Sequence, residues 1–516
     1  MTVAPSRPRA GATPPRAGAG RVIADALCFP EIGHPAATAA STLTAVVVAT
    51  LALLAGCVAG PDYVRPAVET PPAWKLEAPW REGTPDDAAP KGAWWQRFGD
   101  ARLDALQAEA LAHSPTLALA SARLAQSRAV VSATSAGLLP SVNLNARALR
   151  QRISANRPLS NYAAPNFSTV QNDAVVALSV NYEFDLAGRV QRTVEGVEAS
   201  AEQAAADFEN TRLLLGTDLA TAYFNLRAID IELDVLARSI ALQRRSLDFV
   251  RTRHDLGAAS GLDVAQQQAL LDTTLTQIDV LRRQRGPFEH AVATLTGTPA
   301  PSFTLAADIR ELTPPAVPLG VPSDVLERRP DVASAERAMA AANAQIGVAK
   351  AAYYPSITIS PNFGYETRTL ASLFSAPSAL WAIGAQLTQP LFSAGRLDAN
   401  VEFAQAGYDA TVASYRRIVL TAMQEVEDGI TGLSALESAD RQARTAVQTA
   451  RLVLELATAR YEGGATTYLD VITAQQALLA AERLAAQLSG QRLLTSVFLI
   501  KALGGDWDRP IPVAGN

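Results

Sequence analysis

Residues 326–357 read LERRPDVASAERAMAAANAQIGVAKAAYYPSI, and the reading of this stretch sets the architecture. Pro330 stands where a helix tolerates proline, at its first position, with Asp331 beside it in the positively polarised first turn. Val332, Ala335, Met339, Ala342, Ile346, Ala349 and Tyr353 then recur in steps of three and four. A seven-residue apolar period predicts a helix packed along a left-handed supercoiled seam. The seam is rich in alanine, which favours close approach of helix axes. Pro355 stops the helix, and Ser356-Ile357-Thr358-Ile359 starts the alternation of a strand.

The same unit occurs earlier. SPTLALASARLAQSRAVVSATSAGLLPSV, residues 114–142, aligns with it at an offset of 215, so that Pro115 falls on Pro330 and Pro140 on Pro355. Leu117, Ala120, Leu124, Ser127, Val131, Thr134 and Leu138 take the seam positions. Downstream the offset is 207, with Ala187-Gly188-Arg189 on Ala394-Gly395-Arg396 and Leu262-Asp263-Val264 on Leu469-Asp470-Val471. A period this long is a duplication of a whole half-chain rather than a solenoid repeat.

Each copy reads as helix, strand, strand, then a long helical hairpin. Helix one spans about 101–138, and the strands about 141–151 and 174–184, matched by 356–366 and 381–392 in the second copy. In 174–184, Val176, Leu178, Val180, Tyr182 and Phe184 alternate with Ala177, Ser179, Asn181 and Glu183, the dyad of a transmembrane β-strand. A soluble hairpin with one buried face would show the same pattern. After Gly188-Arg189 a helical pattern runs some 66 residues to His254, on the order of 100 Å. Leu233, Leu236, Ile240, Leu247 and Val250 mark its seam, with Gln243 interrupting it. The long helices reverse at Leu256-Gly257-Ala258 and Glu462-Gly463-Gly464. Four strands cannot close a barrel, and open edges are not tolerated in lipid. The chain must therefore oligomerise, as a dimer with eight strands and a filled interior or as a trimer with twelve strands and a pore.

The domain reading is a leader at 1–56, a lipidated N-terminus and proline-rich arm at 57–99, repeat one at 100–297, a proline-rich linker at 298–322, repeat two at 323–505 and a tail at 506–516. Thr42–Ala55 is the one long apolar run, too short to span a bilayer as a helix and suited to a signal-peptide core. Leu54-Ala55-Gly56-Cys57 reads as a lipobox, which assigns diacylglycerol to the Cys57 thiol. Val58 follows in place of the aspartate that retains lipoproteins in the inner membrane of enteric bacteria, so sorting to the outer membrane is expected. Trp94-Trp95 and Phe98 are expected to anchor the end of the arm.

The chain carries a formal charge of −5, and its only cysteines are Cys28 and Cys57. An acidic chain with no basic tract is a poor partner for nucleic acid. No phosphate-cradling glycine motif and no nucleophile elbow occurs; Gly432-Leu433-Ser434-Ala435-Leu436 lacks the closing glycine. His34, His113, His254 and His290 are isolated, and no cluster has metal-ligand spacing. Neither an enzyme, a metal nor a cofactor is expected. The informative polar residues are Asp263 and Asp470, at equivalent places beside the two glycine turns. They fit helix N-terminal caps, and they equally fit carboxylate rings across a tunnel if the chain repeats about an axis.

Residues 328–357, together with CVAGPDYVRP at 57–66 and WWQRFGD at 94–100, resemble TolC/OprM-type outer-membrane efflux proteins, in their NodT-like lipoprotein branch. The resemblance runs from Cys57 to about Gly505. It implies a mainly α fold with a membrane β-barrel part, assembled as a homotrimer whose 12-stranded barrel continues into an α-helical periplasmic tunnel. It further implies a passive exit duct of a tripartite pump in the Gram-negative outer membrane, joined to a periplasmic adaptor and an inner-membrane transporter of the RND type. In the periplasmic gate of that family, Asp470 matches a constricting aspartate, Tyr461 a gate tyrosine and Asp263 that tyrosine's hydrogen-bond partner. Thr466 and Thr473 depart from the pattern, standing where a linking arginine and a second aspartate ring are found. Type I protein secretion with an ATP-driven exporter, and a lipid-anchored coiled-coil rod, are the alternative functions.

Overall fold

The computed structural model describes residues 58–66, 92–155, 169–315 and 328–505. Two units divide the chain at Gly56, and the first, Met1–Gly56, lies wholly outside the described residues, as do Cys57, residues 67–91 of the arm, the end of the linker from 316 and the tail. Within the second unit the described elements run α1 (Ala101–His113), α2 (Pro115–Ser135), β1 (Ser141–Ile153), β2 (Thr169–Phe184), α3 (Arg189–Asp255) and α4 (Gly261–Leu295). They continue as α5 (Pro330–Ala351), β3 (Ser356–Ile359), β4 (Asn362–Thr367), β5 (Ala379–Ala382), β6 (Ala385–Thr388), α6 (Arg396–Glu462) and α7 (Tyr468–Ala502). The long helices α3 and α6 have 67 residues each, and α4 and α7 have 35 each. All four begin and end at the 207-residue offset read from the sequence, so the duplication is also a duplication of structure.

The helix expected over 101–138 is broken. Ser114 adopts an extended backbone, ψ 122°, because the ring of Pro115 bars the preceding residue from the helical region. Pro115 then opens α2. Its seam residues Leu117, Ala120, Leu124, Ser127, Val131 and Thr134 are half-buried against α3, and none is fully buried. The equivalent α5 is wedged between α3 and α6 and buries Val332, Ala335, Met339, Asn343, Ile346 and Gly347. Tyr353 leaves the seam, 39% exposed, and its hydroxyl bonds Asp398.

The strands expected at 356–366 and 381–392 are each observed as two short segments. Their register never slips. Tyr182 faces Ile359 and Ala174 faces Thr367 on one line, while Ile359 faces Ala385 and Phe363 faces Trp381 on the next. The first interruption holds Pro361, which has no N–H for the ladder, although its carbonyl still accepts from Val180 N at 2.9 Å. The second holds Gly384, and Pro390 replaces the expected strand end. The result is a four-line antiparallel sheet in the order β1, β2, β3/β4, β5/β6. One face carries rungs of apolar side chains, such as Leu144–Leu178–Phe363–Trp381, with Trp381 74% exposed. The other carries polar pairs: Asn145 donates to Ser179 Oγ at 2.8 Å, and Arg147 meets Asp173 at 2.5 Å.

Two features lock the body. In the first, Trp94, Trp95 and Phe98 bury against Leu219, Tyr223 and Phe224 of α3, and Asp100 caps α1 while accepting from Tyr223 Oη at 2.5 Å. In the second, the segment directly after Cys57 docks where β2 passes into α3. Ala59 N donates to Ala187 O at 2.9 Å, and the buried Arg192 reaches Ala59 O at 3.2 Å and Asp62 at 2.8 Å. Gly60 and Gly347 let this arm lie on α5; a Cβ on Gly60 would stand 2.6 Å from Gly347 Cα. Gly347→Val is expected to lift the arm off α5 and to lower stability by about 1–3 kcal/mol through overpacking. Proteolysis at Arg65 reads this out, and an unchanged cleavage rate would show that the arm is held elsewhere.

Candidate functional site

The end of the helical body far from the sheet is made by the two hairpin turns. In each, a glycine at positive φ, Gly257 at 76° and Gly464 at 71°, lets the chain reverse while the next amide caps the long helix. Ala258 N bonds Arg253 O at 2.7 Å, and Ala465 N bonds Arg460 O at 2.8 Å. The two turns then differ. Ser260 and Asp263 form a closed capping box on α4, Ser260 N donating to the carboxylate at 3.0 Å and Ser260 Oγ accepting from Asp263 N at 3.2 Å. At the equivalent Thr467 no side-chain cap forms, and Asp470 instead accepts from the Thr466 hydroxyl on the exposed turn. The carboxylate of copy one is thus engaged with its own helix, whereas that of copy two sits at the surface.

Tyr461 lies on the last turn of α6, buried between Phe249 (centroids 6.5 Å apart) and Tyr468 (5.0 Å), with the Arg253 guanidinium 5.0 Å over its ring. Its hydroxyl has no hydrogen-bond partner among the described residues, so the Tyr461–Asp263 bond implied by the resemblance is not made here. Burial pushes the Tyr461 phenol up, Arg253 opposes this, and Asp263 adds a smaller upward push.

Behind this aromatic group runs a polar chain that joins both hairpins. Tyr468 Oη donates to Gln267 Oε1 at 2.9 Å. Gln267 Nε2 donates to Gln243 O at 3.2 Å and Gln475 Oε1 at 3.3 Å, and Gln475 Nε2 donates to Ser246 Oγ at 2.8 Å. All three glutamines are buried at seam positions among Ile240, Leu247, Leu271, Val471 and Ile472. Sequence reading marked only Gln243, as an interruption. Gln267 and Gln475 carry the same signal, a polar residue in the apolar register, and were missed because a single position gives no partner.

Burial, chiefly, and Tyr461 raise the Tyr468 pKa as well. A phenol raised in the folded state is neutral and stabilising below the unfolded value of about 10, and that contribution is lost as pH climbs through the folded value. The thermal midpoint is therefore expected to fall as pH rises above about 10, and Tyr468→Phe to flatten that fall. Equal slopes would place the sensitive phenol elsewhere.

No helix of the described residues is long and apolar enough to cross a membrane, and none of their acidic, histidine or cysteine side chains are grouped to hold a metal. The outer membrane efflux protein family model matches residues 106–298 and 321–505, which together cover both repeats. The chain belongs to this family. The chain is 32% identical over 462 residues to the toluene efflux pump outer membrane protein TtgF of Pseudomonas putida, spanning 88% of this chain and 95% of the relative. Nodulation protein T of Rhizobium leguminosarum is 30% identical over 467 residues, 89% and 92% of the two chains. The outer-membrane channel OprN superposes with a TM-score of 0.80 at 27% identity, covering 87% of this chain and all of that one. This efflux protein is accordingly a TolC-like outer-membrane channel component and not an enzyme. The rod reading is set aside.

Proposed function

We propose that three copies of this efflux protein close a twelve-stranded barrel and an α-helical periplasmic tunnel, forming the exit duct of a tripartite pump. One observation carries the reading. Among the described residues the sheet pairs β1 only with β2 and the β5/β6 line only with β3/β4, leaving two open edges beneath an apolar outward band. Such edges are excluded from lipid unless another copy pairs with them. Three four-line sheets give twelve strands, wide enough to leave a lumen lined by residues such as Asn143, Asn145 and Ser179. The half-buried α2 seam supports a neighbour along the helical body as well.

In this reading Cys57 carries the lipid. It lies outside the described residues, and support comes from Val58, which packs against Gly188 at the junction of strand and helix, the level of the inner leaflet. Asp470 is the gate carboxylate, Tyr461 the aromatic wedge behind it, and Asp263 the residue that fixes the neighbouring turn. A periplasmic adaptor and an RND-type transporter complete the pump at the tip.

Crosslinking in intact cells followed by purification of this chain tests the assembly. Recovery of a trimer with an adaptor and an RND-type transporter is the expected result. An ATP-driven exporter in their place would move the duct to type I secretion, and a monomer would sink the barrel reading.

A further inference from the structure

Register places every side chain of the sheet on one of its two faces at a known height. The outward face climbs from Phe184–Ile357–Leu387 through Tyr182–Ile359–Ala385, Val142–Val180, Leu144–Leu178–Phe363–Trp381 and Ala146–Val176–Tyr365–Ala379 to Ala148–Ala174–Thr367. From Phe184 to Ala174 is ten residues along β2, which at about 3.3 Å per residue and a tilt near 40° rises about 25 Å. That is the height of a lipid-facing band in an outer-membrane barrel.

The next outward rung is Arg150 with Asn172, and the one above it is Arg152 with Val170. Both guanidinium-bearing residues are exposed, on one face, two positions apart. Arg152 also has an interaction within the chain, so Arg150 is the principal group. Among the described residues no acidic side chain shares the outward face of these two rungs; Asp173 points to the opposite face, where Arg147 holds it at 2.5 Å. One strand therefore keeps an inward arginine neutralised by a carboxylate and presents its outward arginines at the outer edge of the apolar band.

We propose that Arg150, with Arg152, binds the phosphate groups of an anionic lipid in the outer leaflet. The chemistry is that of a planar guanidinium, which meets a phosphate with two parallel N–H donors. At the membrane rim the pairing is only partly screened, and it fixes the rotation and height of the barrel in the bilayer. This inference rests on the barrel reading proposed above.

The test uses the full chain purified in detergent, with diphosphoryl lipid A as probe and the same lipid stripped of both phosphates as control. Native mass spectrometry of the wild type is expected to show retention of the phosphorylated lipid alone. Arg150→Gln with Arg152→Gln should weaken that binding about tenfold, while Arg147→Gln, on the lumen face, leaves it unchanged. Equal binding of the phosphate-free lipid, or unchanged binding by the double variant, would overturn the proposal. The same preparations are examined in planar bilayers. Pores without a phosphate preference defeat this inference alone, whereas a wild type that forms no pore defeats the barrel reading and this inference together.

Discussion

Asp230→Ala is expected to destabilise the folded protein by about 3–5 kcal/mol, because it leaves buried arginine charge without its partner. Asp230 is 2% exposed on α3. It accepts from Arg227 Nη1 at 3.2 Å, from Arg285 Nε on α4 at 2.7 Å and from the Asp308 amide at 3.3 Å. The same arginines hold the chain that leaves repeat one, Arg227 reaching Ala306 O at 2.8 Å and Arg285 reaching Leu305 O at 2.6 Å. Deleting the carboxylate thus strands Arg227, leaves Arg285 with Glu289 alone at 2.7 Å, and loosens the start of the linker over the α3–α4 pair. The thermal midpoint of the detergent-purified protein reports the loss. An apolar pair, Asp230→Leu with Arg227→Met, removes both charges together and should recover most of it. A single variant that melts with the wild type would show that Asp230 is not the hub.

Asp470→Ala is expected to raise single-channel conductance by on the order of twofold and to reduce cation preference, since a ring of carboxylates concentrates cations at a constriction. The control is its counterpart in copy one. Asp263 is engaged in a capping box, so Asp263→Ala should cost about 1 kcal/mol of stability and leave ion preference near the wild-type value. The pair of variants separates a gate from a cap, which either substitution alone does not. Unchanged conductance and preference in Asp470→Ala would remove Asp470 from the gate.

The family, the duplication, the four long helices and the strand faces were all legible in the sequence. Their signals are local and repeated: proline at the same places in both copies, seam residues every three and four positions, and a two-residue alternation in the strands. Trp94, Trp95 and Phe98 could be marked as anchors because three large aromatics so close together must find a core. The breaks at Ser114, Pro361 and Gly384 also have causes visible in single residues, yet how far a ladder tolerates a proline depends on the strand beside it. Register across 360–361 and 383–384 is kept by β2 and by the pairing of the two interrupted lines with each other.

What only the tertiary structure decided concerns pairs drawn from distant parts of the chain. Asp263 and Asp470 are equivalent in sequence, but only the packed turns put one into a capping box and leave the other at the surface. Tyr468, Gln267, Gln475 and Ser246 become one network because α3, α4 and α7 meet at that level. Asp230 becomes a hub because Arg227 lies one turn away while Arg285 and the Asp308 amide arrive from 55 and 78 residues away. Periodicity fixes which face of an element turns inward. It carries no information about which buried polar group waits on the facing element, and that choice belongs to packing.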